Sequence, residues 1–527
     1  MTDALTYDAI VIGSGFGGSV AALRLAQKGH RVAVLEQGRR ISNDDMLAAG
    51  NDPRKLFWGP ALGMRGFFSQ RVFKHVGIVG GVGVGGGSLV YAAVLLEPGQ
   101  GFYNAPAMQR LGVDFKQELA PYYVTAARML GRVTNPYRGL MDDWLEQAAR
   151  TLGVHESYGP VPQGIYFGSP GKETDDPYFK GKGPRRAGCT QCGACLTGCA
   201  YNAKNSLDKN YLYLAEQLGA EIIPEQRVIQ IREVEGGYEL EAEHPFDAKA
   251  ERTRYRASKV FIAAGVLGSV ELLLRCRDVA RTLPNLSPRL GELVRTNSEA
   301  IVGILNEDES LDLTHGTAIS SHFHANERTH ITQNRFPSGY AFMRFYMGPM
   351  VDGPNPVRRA AKALGKLFSS PRAFLRSALA KNWNKRVSVL TVMQSDDQHL
   401  SLRLGRSWST GLRRGLVSAS EATSRAPAYI EEANLAARAF AQASRGAPLN
   451  VLLESVGNLS ITAHILGGCA MGSTPEEGVV DARNEVFSYP NLFVVDGSAI
   501  PANVGVNPSL TITAMAERCL SFIGART

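Results

Sequence analysis

Two segments at opposite ends of this 527-residue chain carry residue types that do chemistry. Near the C-terminus stands His464, in the run Thr462-Ala463-His464-Ile465-Leu466-Gly467-Gly468-Cys469, followed later by Asn507 in Gly505-Val506-Asn507-Pro508. Histidine changes charge near neutral pH and can take up or release a proton. Asparagine offers both donor and acceptor groups, so it can hold a substrate oxygen and steady negative charge developing there. For a lone histidine a satisfied structural role is the plain alternative. Near the N-terminus, Gly13, Gly15 and Gly18 keep a G-x-G-x-x-G spacing after the apolar run Asp8-Ala9-Ile10-Val11-Ile12. This is a dinucleotide fingerprint. Gly13 permits the tight turn, Gly15 lets the backbone approach a pyrophosphate, and Gly18 lets the helix-like Ser19–Lys28 pack on the strand. The N-terminus of that helix then offers free N–H groups to the phosphates.

Other elements must hold these residues in place. A second strand, Arg31-Val32-Ala33-Val34-Leu35, ends at Glu36, an acid suited to a ribose hydroxyl pair and opposed to a 2′-phosphate. The run Gly80–Ser88 is too rich in glycine for a packed strand or helix interior. It suits a backbone lying against a flat ring or a phosphate, with a flexible surface loop as the alternative. The segment Val260–Ser269 reads as a buried strand turning into a helix. Arg227–Val234 and Tyr238–Ala242 form a hairpin around Gly236-Gly237, and Val387–Met393 reads as a strand.

The fingerprint, the run Gly83–Val90, the segment Val260–Ser269, the strand-like Leu492–Ser498 and the motifs around His464 and Asn507 together resemble the glucose–methanol–choline (GMC) family. Members of that family are flavin alcohol oxidoreductases, and the likeness is to its cholesterol-oxidase-like branch. The resemblance is strong at both ends and over 189–300, and thin between 301 and 450. It implies FAD in place of NAD, with Gly13, Gly15, Gly18, Glu36, Gly85, Gly86, Ser88, Val228, Ala264, Gly265, Asp496 and Gly497 as its binding residues. It implies oxidation of a hydroxyl on a bulky apolar, sterol-like molecule. An alcohol carbon gives up hydride readily only as its hydroxyl loses a proton, so His464 would receive that proton and Asn507 would orient the oxygen. The fold implied is α/β: a discontinuous Rossmann-like FAD-binding domain beneath an α+β cap, an antiparallel-sheet substrate domain. Residues 1–42, 75–100, 205–300 and 475–527 belong to the first, and 43–74, 101–204 and 301–474 to the second. The chain departs from the branch at Tyr91, where asparagine is usual. It also has Thr332 or Gln333 near the place of a proton-moving glutamate in secreted cholesterol oxidases.

Four of seven cysteines, Cys189, Cys192, Cys195 and Cys199, stand in C-x2-C-x2-C-x3-C spacing on a glycine-containing loop, 185–204. Thiolates this close can converge on one metal centre. The spacing is that of a ferredoxin 4Fe–4S cluster, although Ala200 stands where ferredoxins carry proline and no second cysteine set exists. A zinc knuckle is the rival, and it usually has longer gaps between cysteine pairs. Disulfides are least expected in a chain with no export signal. Cys276, Cys469 and Cys519 read as buried, small apolar residues. A cluster near the flavin would pass electrons singly to a carrier in place of oxygen, and one far from it would be a structural staple, so the acceptor is oxygen or an electron carrier.

The net charge of +8 is uneven, because nine basic residues and no acid lie between Gly353 and Ser395. That concentration argues against a general nucleic-acid-binding surface. In 357–386, Val357, Ala361, Leu364 and Phe368 recur at helical spacing with Arg358, Lys362 and Lys366 on another face, and Phe374–Leu379 suggests a second short helix. A basic amphipathic helix can rest on an anionic membrane; the ordinary reading puts its apolar face on the core. The chain runs almost directly into its first strand and has no apolar stretch of the ~20 residues that span a bilayer, so a cytoplasmic protein is expected, peripheral to the inner membrane surface if the basic helix docks there. Two other classes compete with an alcohol oxidoreductase. One is an iron–sulfur electron-transfer flavoprotein, and the other is a membrane-associated lipid-binding flavoprotein.

Overall fold

The computed structural model describes residues 4–526 except 51, 370–377, 421–423 and 425. The first layer is a seven-stranded sheet. Its order is Glu221–Ile223, Val32–Leu35, Leu5–Ile12, Thr253–Ile262, Gly237–Glu243 and Arg227–Val234. Leu492–Val494 pairs parallel with the end of Thr253–Ile262. The parallel part is buried on both faces, which is why Ala9–Val11, Val32–Leu35 and Val260–Ile262 read as unbroken apolar runs. The hairpin expected around Gly236-Gly237 is the antiparallel edge of this same sheet. The fingerprint helix, Phe16–Gln27, packs against the C-terminal helix Ser509–Ser521.

The second layer is an antiparallel sheet of seven strands. Its order is Met347–Pro349, Gly446–Val451, Ala300–Asn306, Val387–Gln394, Thr329–Asn334, Ser321–Asn326 and Gly159–Pro160. Side chains alternate across it. Val302, Ile304, Phe323, Ile331, Leu390 and Val392 meet the helices Leu140–Thr151 and Glu431–Ser444. Leu305, Val387, Val389 and Leu449 pack with Leu56, Phe67, Leu89 and Val90 on the other side.

Two expectations need correction. Gly80 and Gly81 are not in a loop: they end the strand Val76–Gly81, which pairs with Phe68–Val72 and, in parallel, with Ser460–Thr462. This strand lies outside the large parallel sheet. Glycine is needed at 81 because the chain folds back on itself, and a Cβ there would stand 2.4 Å from the Gly86 carbonyl oxygen. The second correction concerns the basic helix Pro356–Ser369. Its apolar stripe does not face the core, since Val357 is 76% and Phe368 82% exposed, with Leu364 exposed between them. Arg359 and Ala363 turn inward instead. Arg359 donates to the carbonyls of Gly353 and Glu454 and to Asn458 Oδ1, and these bonds fix the helix rotation. Most of the second expected helix, Phe374–Leu379, lies outside the described residues. No helix among the described residues is long and apolar enough to cross a membrane.

Candidate active site

His464 follows the short strand Ser460–Thr462, and Asn507 stands just before the C-terminal helix. The fold brings them together, with Asn507 Nδ2 3.2 Å from His464 Nε2. Asn507 is buried and its Oδ1 has no hydrogen-bond partner, so the pair presents an unused acceptor beside a ring nitrogen. The other ring nitrogen, Nδ1, is in short contact with Glu299 Oε1, and Glu299 Oε2 accepts the Ala463 amide at 3.0 Å. Glu299 is almost wholly buried at the start of Ala300–Asn306. It thereby fixes which imidazole nitrogen faces outward.

The loop before Glu299 is held under strain. Asn297 and Ser298 have φ of 58° and 44°, a region non-glycine residues seldom occupy. Asn297 is clamped in it: its amide donates to Asn503 Oδ1, its Nδ2 donates to Val506 O, and its Oδ1 accepts the Gly505 amide. One residue therefore ties the Glu299 segment to the Asn507 segment. A second buried acid, Glu454, accepts the Ile301 amide. Burial pushes its carboxyl well above the ordinary range; the Ile301 amide opposes this, and the neighbouring Glu299 adds to it. Neither acid was found by sequence reasoning, since neither belongs to a motif. Of the positions considered for a proton-moving acid, Gln333 points to the opposite face of the sheet, where it donates to Asp142. Tyr91 donates to the Asn205 carbonyl.

The other nominated residues gather at the carboxyl ends of the parallel strands, where open α/β sheets bind ligands. Glu36 is buried and accepts Ser14 N, Ser14 Oγ and Gly38 N; burial raises its carboxyl, and those bonds oppose the rise. Val228 lies two residues beyond Gln226, whose amide donates to the Glu36 carbonyl. Gly13 has φ of 96° and touches Ala263, while Gly18 packs on Gly13. Gly86 meets Gly15, and Ser88 Oγ bridges Gly85 O and Leu207 N. Asp496 accepts the Gly265 amide and Ser269 Oγ with one oxygen, and Ser498 with the other. Its carboxylate thus shapes the turn at Ala264-Gly265, and Gly497 accepts the Gly467 amide. A Cβ at Gly15 or Gly265 would meet no atom within 4 Å, so the strand ends enclose a cradle next to the fingerprint helix N-terminus. A dinucleotide fits the donors and the open backbone there.

Residues 182–277 and 394–516 match the GMC oxidoreductase family, and 11–48 match the NAD(P)-binding Rossmann-like domain. A cholesterol oxidase of Acinetobacter baumannii is 40% identical over 99% of this chain and 95% of its own length. A cholesterol oxidase of Mycobacterium tuberculosis is 41% identical over 98% and 90%. The chain belongs to the GMC oxidoreductase family. It is an FAD-dependent alcohol oxidoreductase of α/β fold. Pyridoxine 4-oxidase from Mesorbium loti shares the fold of this GMC enzyme, with a TM-score of 0.64 and 16% identity over 98% of both chains.

All four cysteines of the 185–204 loop line one cavity of the GMC enzyme, together with Lys204. Burial pushes the Cys189 thiol up to about 11 and Cys195 up to about 12. Backbone amides point at the sulfurs: Gln191 N at Cys189, Ala203 N and Lys204 N at Cys199, and Ala318 N at Cys195. Lys204 and Arg186 are both buried, and neither forms an ion pair among the described residues. Lys204 Nζ donates instead to the carbonyls of Leu89, Tyr91 and Cys195, so the loop is joined to the Gly83–Val90 segment. Cys276, Cys469 and Cys519 are buried apolar residues, as their segments imply.

Proposed function

We propose that this enzyme oxidises a hydroxyl on a bulky apolar alcohol of the sterol class, with oxygen as the final acceptor. The observation that carries the reading is the buried Glu299–His464–Asn507 array, and the two cholesterol oxidases similar along their whole length support the substrate class. When bound, FAD would supply the hydride-accepting chemistry for the substrate carbon. The fingerprint amides at Gly15–Gly18 would hold its pyrophosphate and Glu36 its ribose hydroxyls. Gly85, Gly86, Ser88, Val228, Ala264, Gly265 and Gly497 would line it, with Asp496 as a positioning residue behind Gly265. His464 Nε2 takes the hydroxyl proton as the C–H bond breaks. Glu299 holds the ring through Nδ1 and stabilises the charge it acquires. Asn507 Nδ2 donates to the substrate oxygen. The domain division we assign is the one expected from sequence, except that Val76–Gly81 joins Ser460–Thr462 in a small sheet.

The cysteine loop supports a second element of this reading. Four thiolates around an iron–sulfur or zinc centre would place negative charge closer to Lys204 and Arg186, which form no direct ion pair among the described residues and feel Asp208 only at longer range, and N–H groups already face the sulfurs. The C-x2-C-x2-C-x3-C spacing, which lacks the longer gap usual between zinc-binding cysteine pairs, leads us to favour the iron–sulfur core. One-electron chemistry is what such a centre supplies. The exposed Val357, Leu364 and Phe368 stripe with its flanking lysines further supports peripheral contact with an anionic membrane, where a lipophilic alcohol resides.

The test is an anaerobic absorption spectrum of the purified protein with iron, sulfide and zinc analysis, before and after addition of sterol, terpenoid and fatty alcohols. Bleaching of the flavin bands by a sterol is expected. A flavin that no alcohol bleaches would remove the catalytic reading, and cysteines holding zinc or nothing would remove the cluster.

A further inference from the structure

Three histidines of the cap sheet stand apart from the motifs above. The strands Ser321–Asn326 and Thr329–Asn334 form a hairpin in which His324 lies directly across from His330. His322 and His324 are two residues apart and leave their strand on the same face. Phe323 and Ile331, between them in the alternation, fill the core on the opposite face. The imidazoles are therefore gathered on one side of the sheet. One ring nitrogen from each lies within 4.8 Å of the other two, and His322 Nδ1 is 2.9 Å from His330 Nε2. His330 is 1% exposed, and its Nδ1 has no partner. Whichever tautomer it adopts, a buried polar atom of His330 stays unpaired, which is costly unless something else meets this cluster.

The electrostatics run the same way. Burial, then His324, brings His322 down to about 4. Burial lowers His324, and burial with His322, His324 and His464 lowers His330 well below the ordinary histidine range.

We propose that His322, His324 and His330 form a three-imidazole site for one divalent transition-metal cation of the zinc class. Three nitrogens and no carboxylate suit zinc and its neighbours and do not suit magnesium or calcium, which need oxygen ligands. Zinc–nitrogen bonds of about 2.0–2.1 Å in a tetrahedron set the nitrogens about 3.4 Å apart. The observed spacings bracket that value, so small ring rotations complete the set. The fourth position is left for water or an added ligand. Because Phe323 and Ile331 fill the opposite face, the cation would lie on the other side of the sheet from the helices Leu140–Thr151 and Glu431–Ser444, and none of its three ligands belongs to the catalytic pair. The site does not depend on which alcohol the enzyme oxidises.

The experiment uses the FAD-loaded enzyme, stripped with a chelator, re-equilibrated with Zn2+ and washed. Bound zinc is counted by mass spectrometry for wild type, His330→Ala and His324→Ala, with the four cysteines intact throughout. Each variant should retain one zinc per chain fewer than wild type at unchanged flavin content. Equal zinc in all three overturns the proposal. If His330→Ala loses flavin, the partly exposed His324→Ala decides alone. Zinc X-ray absorption of the wild type should show nitrogen neighbours at about 2.0–2.1 Å, and a shell of sulfur alone overturns the site.

Discussion

Around His464 a carboxylate meets the charged group directly, whereas around the cysteine loop the buried Lys204 and Arg186 touch no carboxylate and feel Asp208 only at longer range. Glu299 is buried against His464 Nδ1, so an imidazolium formed there finds a carboxylate already in place. Lys204 and Arg186 are equally buried but meet only carbonyl and amide oxygens among their described hydrogen bonds. Burial lowers Lys204 to about 8, and the Cys195 and Cys199 sulfurs oppose that fall. A buried cation without a counter-charge is costly. The difference separates a site complete in the polypeptide from one built to receive an anionic guest.

The sharpest way to break the comparison is at the catalytic pair. His464→Ala should lower turnover by roughly 10²–10⁴-fold, the usual worth of a positioned general base, with flavin content unchanged. Stopped-flow reduction of the flavin by a sterol measures it, and a variant reduced at the wild-type rate would remove His464 from the chemistry. Glu299→Gln keeps the shape and removes the charge. Its expected cost is about 10²-fold in the reductive rate, the lower end of the same range, since the base remains but its partner does not. If Glu299→Gln matches wild type, the balanced half of the comparison fails.

On the other side, Lys204→Met removes a cation the loop is proposed to need. Iron bound per chain should fall severalfold, while flavin reduction by substrate survives. If the loop needs no anionic guest, the same substitution relieves a buried charge and should instead raise thermal stability with no change in metal content. The two outcomes have opposite signs in a thermal melt followed beside iron analysis.

The cofactor half was legible in the sequence because its signals are local. The Gly13–Gly18 turn, the acid at Glu36 and the strand–helix junction at Ala264-Gly265 each depend on a few neighbours whose spacing is fixed by one strand and one helix. His464 and Asn507 were legible for the same reason. Glu299 was not. It reaches His464 across 165 residues of sequence, through a loop whose left-handed Asn297 and Ser298 are clamped by distant hydrogen bonds. The basic helix shows a different limit. Periodicity identified the apolar stripe, but Arg359 decided which face turns inward through bonds to Gly353, Glu454 and Asn458, and that partnership leaves no periodic trace.

The smallest expected effect tests how the two acids near His464 divide their roles. The Glu454 carboxyl is pushed well above its ordinary range, chiefly by burial, against the opposing Ile301 amide, with Glu299 adding to the rise. Its folded value lies above its unfolded one, so the unfolded chain loses this proton first as pH rises. The stabilisation is full below the ordinary glutamate range and is lost as pH climbs toward the folded value, at a slope of up to about 1.4 kcal/mol per pH unit for one proton. Glu454→Gln cannot titrate and keeps a similar shape. Denaturant melts of holoenzyme between pH 5 and pH 8 should therefore show a shallower decline for the variant than for wild type. Parallel curves would mean that Glu454 is already ionised beside Glu299, and the charge around His464 would then be less balanced than the hydrogen bonds suggest.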